Sequence, residues 1–159
     1  MNAELSPAEV VIKEHPRITL WLEGSEVKAG GNLVLTNRRL VFLKQVELTP
    51  VKAAELQKLS RENNTSELIK YALSLNKNNF QLPLSSIVSV KTGGFFTFPR
   101  FNLCLRLTYR SPGKKPKRLT FLFQTAFIRV LFRSEPLTME WVRAVKKAAK
   151  ASRKLAAGQ

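Results

Sequence analysis

Residues 30–46, GGNLVLTNRRLVFLKQV, constrain the fold more than any other part of the chain. Two apolar runs flank a polar tetrapeptide, Thr36-Asn37-Arg38-Arg39. With Asn37 and Arg38 as the two turn residues, Leu35 faces Leu40, Val34 faces Val41 and Leu33 faces Phe42 across an antiparallel pair. Leu33, Leu35, Leu40 and Phe42 then share one face, because side chains alternate along a strand. Asn37 suits the left-handed backbone of a tight turn, and Thr36 and Arg39 are expected to project outward together. The adjacent arginines are therefore read as a solvated turn, a structural punctuation mark rather than a grip on an anion.

The same alternation recurs downstream. IVSVKTG, NLCLRLTYR and KRLTFLFQT read as strands, with Leu103, Leu105, Leu107 and Tyr109 on one face and Leu119, Phe121 and Phe123 on another. The last two pair as a hairpin through SPGKKPK. Residues 10–12 and 18–22 are shorter strand candidates separated by His15-Pro16, and FIRVLFR is a further one of ambiguous period. Two regions have helical spacing. A C-terminal helix is expected over about 135–156, opened by Ser134-Glu135-Pro136, with Trp141, Val145, Ala148, Ala149 and Ser152 on one stripe. Arg143, Lys146, Lys147, Lys150, Arg153 and Lys154 fill much of its remaining surface. A helical insertion over about 49–79 starts at Thr49-Pro50, is interrupted by RENN, and resumes with Leu68, Ala72 and Leu75 on one side. It is too small to own a core, so residues 1–159 are expected to form one domain.

Charge narrows the function. Twenty-seven lysines and arginines against eleven acids give a formal net charge of +16. Such a field attracts anionic lipid surfaces, nucleic acid or acidic proteins. All the acids are glutamates, and none falls between Glu67 and Glu135, so the excess is regional. No apolar run approaches the roughly 20 residues that span a bilayer, and MNAELSPAEVVIKEH lacks a signal peptide's basic start and apolar middle. A cytoplasmic protein, peripheral at a membrane, is the expectation.

The elements, taken in order, resemble the GRAM/PH-like superfamily. Gly31, Leu33, Leu35, Thr36, Asn37, Arg39, Leu40 and Phe42 match its glycine and L-x-LTN-x-RL-x-F hairpin. Leu82, Pro83, Leu84 and Ile87 match its I/L-P-L-x-x-I strand entry. The resemblance covers roughly residues 10–150 apart from the insertion. It implies a mainly β fold with α: two nearly orthogonal antiparallel sheets, a sandwich or partly open barrel, capped by the C-terminal helix. It also implies a binding module for phosphoinositides or proteins, and fold alone does not choose between them. In lipid-binding members basic residues of the first strand, first loop and second strand hold phosphates; here the loop EGSEVKAGG sets Glu23 and Glu26 against one Lys28 and the strand NLVLT carries no cation, so a conventional headgroup pocket is not expected.

Catalysis is not expected. The chain has no aspartate and a single histidine, His15, and its one cysteine, Cys104, sits inside an alternating strand. No carboxylate pair is spaced for general acid and base work, and neither a metal nor a cofactor site is expected. Gly93-Gly94 lacks the helix start and lysine of a phosphate loop.

Two stretches remain for binding. RSPGKKPKR gathers Arg110, Lys114, Lys115, Lys117 and Arg118 on a proline-restrained hairpin, the expected ligand-binding residues. TGGFFTFPRF sets Phe95, Phe96, Phe98 and Arg100 in a loop suited to a lipid interface or a partner's groove, with inward packing as the bland alternative. The two lie at opposite ends of NLCLRLTYR and are not expected to form one site. The resulting expectation is a non-catalytic peripheral module for an anionic lipid surface. A protein partner is the alternative, and nucleic acid comes third, because the aromatics cluster in one loop instead of interleaving with a basic sheet face.

Overall fold

The computed structural model of the chain describes residues 8–22, 28–93, 104–123 and 127–158. Its elements run β1 (Val11–Leu22), β2 (Lys28–Thr36), β3 (Arg39–Lys44), α1 (Pro50–Arg61), α2 (Thr65–Ser74), β4 (Phe80–Pro83), a 3₁₀ turn η1 (Leu84–Ser86), β5 (Ile87–Gly93), β6 (Cys104–Tyr109), β7 (Lys117–Phe123) and α3 (Phe127–Ala157). The seven strands form one antiparallel sheet in the order β4-β3-β2-β1-β7-β6-β5, so β4 and β5 are edges and the sheet does not close into a barrel among the described residues.

β1 joins the two halves of this sheet. Its residues Ile18 to Trp21 pair with β2 on one side and β7 on the other. The His15-Pro16 pair does not separate two strands as expected. It sits at an irregularity inside a single long strand, where the register with β2 shifts between His15 and Ile18 and Arg17 adopts a φ of 58°. A bulge leaves a residue outside the ladder, so the missing proline N–H costs no hydrogen bond there.

The β2–β3 hairpin has the register that alternation dictates: Leu33 opposite Phe42, Val34 opposite Val41, Leu35 opposite Leu40. Leu33, Leu35, Leu40 and Phe42 are fully buried in the main core with Leu105, Leu107, Phe121, Phe123 and, from α3, Trp141 and Val145. α3 closes this core against β5, β6, β7 and η1. The indole of Trp141 packs at 5.7 Å from the Phe123 ring, centroid to centroid, and its Nε1–H finds no acceptor among the described residues. Gly31 admits no side chain: a Cβ there would lie 2.3 Å from the Leu43 carbonyl oxygen.

The hairpin is apolar on its other face too. Val34 and Val41 are buried there against Ile69, with Leu43 and Leu73 beside them. This second apolar face is why α1 and α2, lying between β3 and β4, fold back over the sheet. Thr49 and Asn64 cap the two helices by accepting from the amides of Lys52 and Glu67. Asn79 then fastens α2 to β3, accepting from the Lys44 amide at 2.6 Å and donating to the Ala72 carbonyl at 2.8 Å.

Two expectations about the C-terminal region are corrected. FIRVLFR forms no strand; residues 127–133 belong to α3, which therefore begins ahead of Ser134 and runs through Pro136. The apolar residues of that segment occupy neighbouring positions that fit either period, and one proline removes only one of the many backbone hydrogen bonds of a helix this long.

Candidate functional site

The arginine pair of the opening motif separates into two roles. Arg39 is largely withdrawn from solvent. Its Nε and Nη2 donate to the two oxygens of Glu9 at 2.7 and 2.6 Å, and the Glu9 side chain is 1% exposed. Nη1 reaches Gln81 on β4 and Nη2 reaches Ser66 on α2. Thr36, also expected to point outward, is fully buried: its hydroxyl lies 2.9 Å from Glu9 and accepts the amides of Arg38 and Arg39. Burial alone would raise the Glu9 carboxyl. The hydrogen bonds from Arg39 and Thr36, with the Arg39 charge, outweigh it and hold the group below the usual carboxylate range.

Asn37 does not supply a left-handed turn residue, since Arg17 and Asn63 are the non-glycine residues of positive φ among those described. It instead holds the incoming N-terminal segment, accepting from the Val10 amide, donating to the Ala8 carbonyl and sending its own amide to the Val10 carbonyl. The tetrapeptide is thus a clasp: its buried members bind the chain's own glutamate. Arg38 alone remains exposed at the tip.

That tip lies at an end of the molecule organised by η1. The fully buried Leu84 anchors η1, and Ser86 Oγ donates back to the Pro83 carbonyl at 2.7 Å. Three contacts then radiate from it. The Leu84 amide donates to the Arg38 carbonyl at 3.0 Å, and the Arg110 amide donates to the Ser86 carbonyl at 2.9 Å. From the last turns of α3, Arg153 Nη2 donates to the Ile87 carbonyl at 3.5 Å. Ile87, Tyr109 and Lys117 are successive partners across β5, β6 and β7, which sets Lys117 about 10 Å from Ile87 along the sheet.

The hairpin cations sit at this end. Arg110 follows β6, Lys114 and Lys115 lie in the connection, and Lys117 and Arg118 open β7; all five are exposed. The connection is a type II turn: Ser111 accepts the Lys114 amide at 3.0 Å, Pro112 takes the second position, and Gly113 the third with φ 72°. Sequence spacing found this cluster but missed its neighbours. η1 and the packing of α3 bring Lys150, Arg153 and Lys154, all exposed, to the same end, together with Arg38. The helical stripe of cations was visible; the fact that it ends beside the hairpin depends on long-range pairing. Phe95, Phe96, Phe98 and Arg100 lie outside the described residues.

On the far side of the sheet, between α1–α2 and the outer face of β1–β3, lies a cavity of about 370 Å³. Val34, Leu43, Leu48, Leu56, Leu68 and Ile69 give it a largely apolar lining. The remaining reactive groups are muted. Cys104 is fully buried, and burial pushes its thiol up to about 11, leaving little thiolate at neutral pH. His15 stacks edge-on to Phe123 at 5.3 Å, and burial, then the nearby Lys13 charge, lowers its pKa. Among the described residues no three histidine, cysteine or acidic side chains gather as a metal site, and no helix is long and apolar enough to cross a membrane.

No protein-family model and no curated protein matches the sequence. Solved structures do match. The PDZ-RhoGEF DH/PH domains, in their complex with GTP-γ-S activated RhoA, superpose with a TM-score of 0.50 and 12% identity over 91% of this chain. The fold is PH-like. This PH-like chain spans 30% of that much longer one. It also aligns with the N-terminal PH domain of Vps36 at a TM-score of 0.47 and 16% identity, covering 89% of this chain and 80% of that one. The likeness to PH domains concerns architecture, and the cationic end described above is a property of this chain's own residues.

Proposed function

We propose that this PH-like domain is a peripheral, non-catalytic binding module that docks on anionic lipid surfaces through the end organised by η1. Arg110, Lys114, Lys115, Lys117 and Arg118 form its centre, with Lys150, Arg153, Lys154 and Arg38 around them. The observation that carries this reading is the convergence at one end of three separate cationic segments: the 110–118 hairpin, from the stretch with no acid between Glu67 and Glu135, Arg38 of the β2–β3 tip, and the last turns of α3. Exposed like charges within a screening length of about 8 Å repel one another, so the arrangement costs stability unless an anionic partner offsets it. A flat anionic surface gains about 1 kcal/mol per nearby cation.

The test is vesicle sedimentation with phosphatidylcholine alone and with added phosphatidylserine, across salt, with a nucleic-acid competitor. Binding that requires the anionic lipid and falls steeply with salt is expected. Lys114→Glu, Lys115→Glu and Lys117→Glu combined should weaken it by at least about 100-fold, from the loss of three cations alone. Undiminished binding by that variant would refute the assignment of the hairpin.

A second reading is favoured by the cavity under α1–α2. Its apolar lining, which includes the half-exposed Val11 and Leu48, suits a protein segment with apolar anchors. A chain that ignores anionic vesicles at low salt and still retains a protein in pull-down would support this reading over the first.

A further inference from the structure

We infer that Ser111 is a phosphorylation site, and that phosphate on it releases the domain from anionic surfaces; this rests on the membrane reading above and names its regulation. Ser111 stands at the centre of the cationic end. It is half-buried, between Arg110, whose amide is tied to η1, and the turn that carries Lys114 and Lys115. Two features make this serine a substrate for proline-directed serine/threonine kinases. The sequence Ser111-Pro112-Gly113-Lys114 has proline directly after the serine and a cation three residues on, the pattern those kinases accept. Proline at the next position also biases the serine backbone to the extended conformation in which a substrate strand is read.

The turn opposes entry only weakly. One hydrogen bond, from the Lys114 amide to the Ser111 carbonyl, closes it, and residues 112–116 between the two strands are all exposed, so opening of the turn itself leaves the β6–β7 ladder and the core in place. In the transfer, Ser111 Oγ forms a bond to the γ-phosphorus of a nucleoside triphosphate. The bond from that phosphorus to the β,γ-bridging oxygen breaks, the nucleoside diphosphate leaves, and the hydroxyl proton passes to the kinase's base.

The product carries about −1.5 to −2 charges at pH 7 and three acceptor oxygens within reach of neighbouring cations. It would draw Arg110, Lys114 and Lys115 into internal charge-assisted hydrogen bonds and lower the field of the whole end. At about 1 kcal/mol per charge, removing this much should weaken vesicle binding by about 10- to 30-fold.

The experiment uses the folded, full chain, a proline-directed kinase and ATP, followed by intact mass, peptide mapping and sedimentation with phosphatidylserine vesicles. The expected result is a gain of one phosphoryl group that maps to Ser111 and is absent from Ser111→Ala, together with the stated loss of binding. Ser111→Ala itself should bind like the parent. Modification that appears only after heat unfolding would overturn the site. A phosphorylated chain that binds vesicles as well as the unmodified chain would overturn the switch while leaving the membrane reading intact. An unmodified chain that ignores the vesicles would remove both.

Discussion

Replacing Arg39 by methionine isolates the clasp, because it keeps the apolar stem and removes the charge. Glu9 would lose two charge-assisted hydrogen bonds, at 2.7 and 2.6 Å, while its side chain stayed 1% exposed. Breaking a buried pair from one side costs about 3 to 5 kcal/mol, since the remaining charge keeps its desolvation penalty. The lower part of that range is expected, because the Arg39 side chain is 19% exposed and water can partly replace it. At about 2 to 4 °C per kcal/mol for a domain of this size, Tm should fall by roughly 6 to 15 °C. The pH dependence gives the sharper check. Glu9 is held below its ordinary value in the folded parent, so its contribution is fully present above the unfolded glutamate pKa of about 4.3 and is lost as pH falls through the lower folded value. The gap between parent and Arg39→Met should therefore be widest near neutral pH and narrow on acidification. Adding Glu9→Leu should restore much of the loss. Thermal melts by circular dichroism between pH 3.5 and 7.5 measure all of this. A Tm within 2 °C of the parent at pH 7, or a gap independent of pH, would refute the clasp.

Trp141→Ala should lower stability by about 3 to 5 kcal/mol in denaturant titration, whereas Trp141→Phe should lose far less, because it also removes a buried N–H with no acceptor among the described residues. Gly31→Ala should reduce Tm by several degrees, since its new methyl meets the Leu43 carbonyl oxygen, backbone that cannot swing away, as well as the fully buried Phe42 ring; an unchanged melt would show that β2 and β3 can separate there. Cys104 should resist a thiol-specific reagent at pH 8 and react at once in guanidinium, as its buried thiol titrates near 11; rapid labelling of the native protein would mean that this strand end opens.

The legible part of this fold is the part written in local periodicity. The register of Leu33, Leu35, Leu40 and Phe42 followed from alternation and a two-residue turn, both contained in a short window. The roles of Thr36 and Arg39 were misread for the complementary reason. Their partner, Glu9, enters from far earlier in the chain, and a single buried ion pair leaves no periodic trace in a sequence. Polar residues beside a turn look solvated until the segment that covers them is known. Val34 and Val41 carried a further signal, apolar residues on the second face of the hairpin, that α2 explains. At the candidate site, the hairpin cations were dense enough to find by inspection. Their proximity to Arg38 and Arg153 came only with the contacts of η1, which join residues by backbone carbonyls and amides that every sequence possesses.

The double pairing of β1 has a consequence for how the chain reaches this fold. Ile18 and Leu20 must wait for Phe123 and Phe121, which leave the ribosome long after β2 and β3 have zipped into a hairpin. Until then the inner face of that hairpin has neither β7 nor α3 to cover it. Pairings this distant are slow to nucleate and expose unpaired edges meanwhile. α1 and α2 emerge next and can shield only the outer face, Val34 and Val41. Folding should consequently be a late, cooperative event, with the nascent chain carrying a half-covered hairpin that chaperones would recognise first.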